Sequence, residues 1–157
     1  MKNLSELVAR KYPELDEKAR KAVWACYMND ALGKGALWED TLGCVMKHTT
    51  QLTKNAKGRD FADNTDAKFA MVVRMKSGTY QATINTVNKI GWLRICLCDP
   101  FTRVQDPRLY FMLVPHRAYS KLKGPLKVTF DRFGSPTGKH WDEWNCSFDK
   151  VSSAIAD

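Results

Sequence analysis

The hydrophobic pattern of this chain changes its period near Gly58, and that change limits the folds open to it. Before Gly58 the apolar residues recur at spacings of three and four. In PELDEKARKAVWACYMNDAL, Leu15, Ala19, Ala22, Val23, Cys26 and Tyr27 form one stripe, the mark of a helix with one buried face. Pro13 and the acids Glu14, Asp16 and Glu17 suit its start, because an early proline forfeits no helical hydrogen bond and carboxylates favour the positive end of the dipole. Gly33 and Gly35 interrupt the pattern, and a second helix is predicted from about Ala36 to Thr50 with Trp38, Leu42, Val45, Met46 and Thr49 inward. Residues 1–52 therefore read as a helical hairpin.

After Gly58 the apolar residues gather in short runs rich in Val, Ile, Thr and aromatics, which predict strands at 67–75, 79–87, 92–99, 108–115 and 126–130. Lys76-Ser77-Gly78 closes the first two into a hairpin. HRAYSKLK after Pro115 and SFDKVSSAIA near the end read as short helices, and Trp141 and Trp144 as anchors of a satellite core. Cys96 and Cys98 alternate with Ile95 and Leu97 in WLRICLCD, without the paired knuckles of a zinc site, and read as core thiols. The expected fold class is α+β or α/β, a single domain with a mixed central sheet and the N-terminal helices packed on it. The sheet core runs over 58–131, and a basic, aromatic segment over 132–157.

Charge narrows the partners. The 157 residues carry 25 Lys and Arg against 17 Asp and Glu, a formal charge of +8 that favours a polyanion, with nucleic acid first. The five cysteines are odd in number and no secretory leader stands at the start, so a cytoplasmic location is expected. No membrane span is expected either. The chain has no phosphate-binding P-loop, dinucleotide glycine fingerprint or Gly-x-Ser-x-Gly elbow, which argues against a nucleotide cofactor, hydride transfer or serine hydrolysis. His48, His116 and His140 match no metal or triad spacing and read as surface or structural residues.

The densest chemical signal is KNAKGRDFADNTDAKFAMVVR, where Asp60, Asp63 and Asp66 precede an apolar strand. In an extended segment Asp66 and Lys68 share one sheet face about 7 Å apart, with Ala67 on the other. Asp63, Asn64 and Thr65 favour a turn that returns Asp60 to Asp66. Converging carboxylates repel unless they share a cation, and hard oxygen donors suit Mg²⁺ or Mn²⁺. A lysine beside a metal-bound water orients that water or stabilises a phosphoryl oxygen, which is the chemistry of phosphodiester hydrolysis.

Asp60, five residues, then Asp66-Ala67-Lys68 at the mouth of a strand and after a helix bearing an acid resembles the PD-(D/E)xK nucleases, which include many restriction endonucleases. The resemblance spans roughly residues 36–100 and implies a restriction-endonuclease-like fold, a Mg²⁺ or Mn²⁺ cofactor and DNA, double-stranded, as substrate. It implies that Asp60 and Asp66 bind the metal, that the Ala67 carbonyl is a further ligand and that Lys68 is the catalytic lysine. Many members add a glutamate from the preceding helix; Glu39 is the candidate here, for catalysis and metal alike, and Asp40 the next choice. Arg59 stands where the family name places proline, and the tight spacing is nearest to the mismatch-repair nicking branch. Whether Asp60 or Asp63 is the first ligand stays open. A palindromic target would imply a homodimer.

Lys54, Lys57 and Arg59 lead into the acidic cluster, Arg74 and Lys76 leave it, and Lys121 and Lys123 open a later basic series; all are candidate DNA contacts. Asn85, Asn88 and Lys89 end the second predicted strand and join them. The leading expectation is thus a Mg²⁺-dependent, restriction-like DNA endonuclease. The competing expectations are a non-catalytic nucleic-acid-binding protein, and a small basic regulatory or phage-type protein that binds an acidic partner. In both, Asp63 and Asn64 merely cap a turn, Asp60 is a solvated loop acid and Lys68 a surface residue on an edge strand.

Overall fold

The computed structural model describes residues 1–29, 33–53, 59–101 and 105–156. In chain order they form α1 (Leu4–Lys11), α2 (Glu17–Asn29), α3 (Gly33–Val45), β1 (Asp66–Met71), β2 (Val73–Arg74), β3 (Tyr80–Ile84), β4 (Leu93–Asp99), β5 (Arg108–Val114), α4 (His116–Tyr119), β6 (Leu126–Phe130), β7 (Pro136–Thr137), α5 (Lys139–Trp144), β8 (Asn145–Cys146) and α6 (Phe148–Val151). The result is a single-domain mixed α+β fold with two four-stranded sheets.

Every residue of β4 is buried, and this near-continuous apolar strand lies between two cores. One sheet has the order β1-β4-β5-β8, with β1 and β4 parallel and the remaining pairs antiparallel. Cys96 and Cys98 face a core made with Leu4, Leu7, Val8, Trp38, Leu42 and Phe148 from the helices, whereas Leu93, Ile95 and Leu97 face Ala82, Ile84, Leu126 and Val128 of the other sheet. The second sheet, β2-β3-β6-β7, is antiparallel throughout. The layers are therefore helices, mixed sheet, antiparallel sheet. Both cysteines are core thiols, and Trp141 and Trp144 pack against the inter-sheet core.

Four sequence expectations are corrected. The single central sheet is two sheets: the strand expected at 67–75 divides at Val72, whose N–H still donates to the Cys98 carbonyl at 2.9 Å before Val73 and Arg74 cross to β3. The helical hairpin is three helices, since LSELVARK forms α1, and Gly33 and Gly35 lie inside the first turn of α3, where the backbone N–H groups lack helical partners in any case. Helix α3 ends at Val45 and not at Thr50, because tertiary bonds claim the residues beyond it: Thr49 Oγ1 accepts from the Asp63 N–H at 3.0 Å and the Thr50 carbonyl from Ala62 at 2.9 Å. On α2, Ala22 and Cys26 are exposed, and Val23, Trp24, Tyr27 and Met28 supply the packing face instead.

Among the described residues no helix is long and apolar enough to cross a membrane.

Candidate active site

The turn from Asp60 to Thr65 is closed by its own backbone. The Asp60 and Phe61 N–H groups both donate to the Thr65 carbonyl, at 2.9 and 3.1 Å, and Asn64 takes the left-handed conformation, φ 68°, that asparagine tolerates. Gly91 lies against this turn so closely that a Cβ there would stand 2.0 Å from the Asn64 carbonyl oxygen. The three acids then part company. Asp63 turns into the protein: Oδ1 accepts from the Thr65 hydroxyl at 2.7 Å, and Oδ2 from Arg94 at 2.9 Å, beside His48.

Arg94 is fully buried and also donates to the Thr65 hydroxyl and to the Val151 and Ser153 carbonyls, so it ties the turn to the C-terminal segment. Burial acts to raise the Asp63 pKa, but the Thr65 and Arg94 hydrogen bonds outweigh it and hold the carboxyl below its ordinary range. Asp63 is thus a structural anion, and it does not line the cleft that Asp60 and Asp66 share.

Asp60 folds back on β1. Its Oδ2 accepts from the Ala67 N–H at 2.8 Å, which sets its carboxylate beside that of Asp66. Asp66, Lys68 and Asp60 line a cleft of about 390 Å³ with Gly35, Ala36, Glu39, Ala67 and Lys89. Helix α3 contributes Glu39, β1 contributes Asp66 and Lys68, and the connection between β3 and β4 contributes Lys89. Asp66 and Lys68 share a face of β1 as alternation requires, and Lys68 Nζ stands 3.8 Å from Asp66 Oδ2.

Asp66 is 2% exposed, yet neither of its carboxylate oxygens accepts a hydrogen bond among the described residues. Lys89 Nζ approaches Oδ2 to 3.1 Å as an ion pair. A buried carboxylate left in this state is costly, and its environment shows it. Burial, then the charge of Asp60, pushes the Asp66 pKa up to about 6. Burial and Glu39 push Asp60 up to about 6 as well. The pair therefore resists carrying two full charges even beside the Lys89 and Lys68 ammonium groups. Burial and the neighbouring Lys89 ammonium lower the Lys68 pKa.

The oxygens fit a small hard cation. Mg²⁺ characteristically takes one or two protein carboxylates and keeps several waters, and here two adjoining carboxylates include one whose buried oxygens lack hydrogen bonds. Among the described residues no three His, Cys, Asp or Glu side chains form a ready-made metal cage. The third acid, Glu39, has Oε2 held by Gln51 at 3.0 Å. Asp40, the alternative acid on this helix, pairs with Lys11 at 3.1 Å.

The expected DNA contacts scatter. Lys54 and Lys57 lie outside the described residues. Arg59 donates to Asn64, within the turn. Arg74 and Lys76 are exposed on the β2–β3 hairpin of the second sheet and line neither the carboxylate cleft nor the larger groove beside it, and Lys121 is exposed without lining either. Lys123 lines that larger groove. Lys89, which sequence reasoning counted only among the DNA contacts, is brought by the fold into the cleft itself. Its signal in the sequence is a cation placed just before the most buried strand.

The chain matches no family model, no curated protein and no solved structure with which it was compared.

Proposed function

We propose that this protein is a divalent-metal-dependent DNA endonuclease that hydrolyses phosphodiester bonds, with the site plan of the PD-(D/E)xK nucleases and a restriction-endonuclease-like core. The observation that carries the reading is Asp66: a buried carboxylate next to a second carboxylate, with the ammonium groups of Lys89 and of the lysine two residues on at 3.1 and 3.8 Å. A solvated loop and a surface lysine have no such arrangement. Asp60 and Asp66 are the residues to hold Mg²⁺ or Mn²⁺, with Glu39 and the Ala67 carbonyl as the further oxygens that the family resemblance adds. Held there, such a cation would supply Lewis-acid polarisation of the phosphate and a more acidic water.

The chain's own residues do the rest. Lys68, placed beside Asp66 and with its ammonium destabilised by burial, orients the attacking water and offers positive charge to a phosphoryl oxygen. The Ala67 N–H holds Asp60 against β1 and so sets its carboxylate beside that of Asp66. The net charge of +8 draws the polyanion to the protein.

The test is incubation of the purified protein with plasmid and phage DNA in Mg²⁺, in Mn²⁺ and in chelator, beside Asp66→Ala. Metal-dependent strand cleavage that disappears in chelator and in the variant supports the reading. Absence of cleavage from every DNA, with neither metal raising the melting temperature, overturns it and leaves a basic binding protein with a structural ion-pair cluster.

A further inference from the structure

Beside the carboxylate cleft runs a second, larger groove of about 700 Å³, between the β3–β4 connection and the α4–β6 connection. The two hollows meet at Lys89, which lines both and whose Nζ reaches Asp66. Among the described residues no Asp or Glu lines the groove, although 17 such residues are spread through the chain. Lys89 and Lys123 supply its cationic edges, His116 an imidazole, and Asn85 and Asn88 its amides. Tyr119 closes the floor: it is buried and donates its hydroxyl proton to the Gly91 carbonyl, so it joins the groove to the segment that carries Lys89 into the cleft.

We infer that this groove holds the stretch of DNA next to the scissile phosphate, an inference that rests on the DNA-cleaving reading of the adjoining cleft. Phosphate oxygens accept from lysine, and base edges pair with side-chain amides, which is the donor set displayed here. The wall also carries apolar surface in contact with water, Val87 at 68% exposure and Leu122 at 37%, suited to the faces of sugars and bases. The turn that presents these groups is fixed in advance. Asn85 Oδ1 accepts from the Val87 N–H at 3.0 Å, the Lys89 N–H donates to the Thr86 carbonyl at 3.3 Å, and Asn88 adopts φ 63°. A prearranged turn loses little freedom when DNA binds. Continuity with the cleft, a single sign of charge and size together favour a polyanionic strand over an apolar ligand.

The experiment is fluorescence anisotropy of a short labelled duplex DNA, in chelator so that no strand is cut, with the full chain and three variants. Lys123→Glu reverses a charge in the groove, Asn85→Asp adds one while keeping the acceptor for Val87, and Lys139→Glu reverses an exposed charge on α5 outside it. The two groove variants are expected to weaken binding about tenfold or more, and Lys139→Glu less than about twofold. Equal weakening by Lys123→Glu and Lys139→Glu, or none by either, overturns the assignment. Cleavage in Mg²⁺ separates this claim from the one it rests on. A wild-type protein that cuts DNA while the groove variants bind and cut unchanged removes the groove and keeps the nuclease. One that does not cut, but loses binding in the groove variants alone, keeps the groove and removes the nuclease. Preference for an RNA duplex over DNA in the same assay also overturns the proposal.

Discussion

Asp66→Asn should make the metal-free protein more stable at neutral pH while abolishing cleavage. In the folded chain the Asp66 pKa stands at about 6, against an ordinary 3.8, so the fold prefers the protonated carboxyl. A raised acid pKa means that the folded state binds the proton more tightly than the unfolded one. Stability from this group is therefore full below about pH 4 and declines as pH rises to about 6, with no further change above. At about 1.36 kcal/mol per pH unit, a shift of this size corresponds to a ceiling of about 3 kcal/mol. Part of it is repulsion shared with Asp60, and solvent at the mouth of the cleft screens it, which leaves about 1–2 kcal/mol. For a domain of this length that difference raises the melting temperature by about 2–8 °C. The assay is thermal and urea denaturation of wild type and variant across pH 4 to 8 in chelator, with the difference between them plotted against pH. The difference should grow between about pH 4 and 6 and then level off, and added Mg²⁺ should raise the stability of the wild type alone. A difference that is flat with pH, or a variant that loses stability as pH rises, refutes the reasoning.

The surroundings of the site give three further expected outcomes. Arg94→Met removes the buried cation that holds Asp63 and two carbonyls of the C-terminal segment, and should cost about 3–5 kcal/mol in urea denaturation. Asp63→Asn should destabilise with the opposite pH signature to Asp66→Asn: the Asp63 pKa is lowered in the fold, so its contribution is present above about pH 4 and is lost as pH falls through the folded pKa, and denaturation curves of variant and wild type should converge toward acid pH. Gly91→Ala forces the Asn64 carbonyl to move away from a methyl group and should cost about 1–3 kcal/mol, with a weaker metal-induced rise in melting temperature if the turn that carries Asp60 shifts with it.

The parts of the site that lie close together in sequence were legible. Asp60, Asp66 and Lys68 span nine positions, so a turn and the two-residue alternation of a strand are enough to place them, whereas Glu39 was singled out only through the family resemblance. The fold class was legible for the same reason, since the change of period at Gly58 separates helices from strands. Long-range pairing was not. Lys89 enters the cleft because β1 runs parallel to β4, with Asp66 opposite Leu93, and no local pattern specifies that register. The division of the apolar run at Val72 carries no glycine or proline to announce it; one N–H still pairs with β4 while the next residues pair with β3. Arg94 did leave a trace. A guanidinium in the middle of WLRICLCD demands buried acceptors, but that Asp63 is among them follows only from the long-range packing.

The most direct measurement is the single-turnover rate of DNA cleavage by Lys68→Ala in saturating Mg²⁺, alongside its affinity for the same DNA. The account predicts a rate about two to four decades below wild type with affinity nearly unchanged, as expected when a group that positions the attacking water is removed. A variant that cuts at the wild-type rate, or one whose only defect is weaker binding, contradicts the catalytic role of the Asp60, Asp66 and Lys68 cluster.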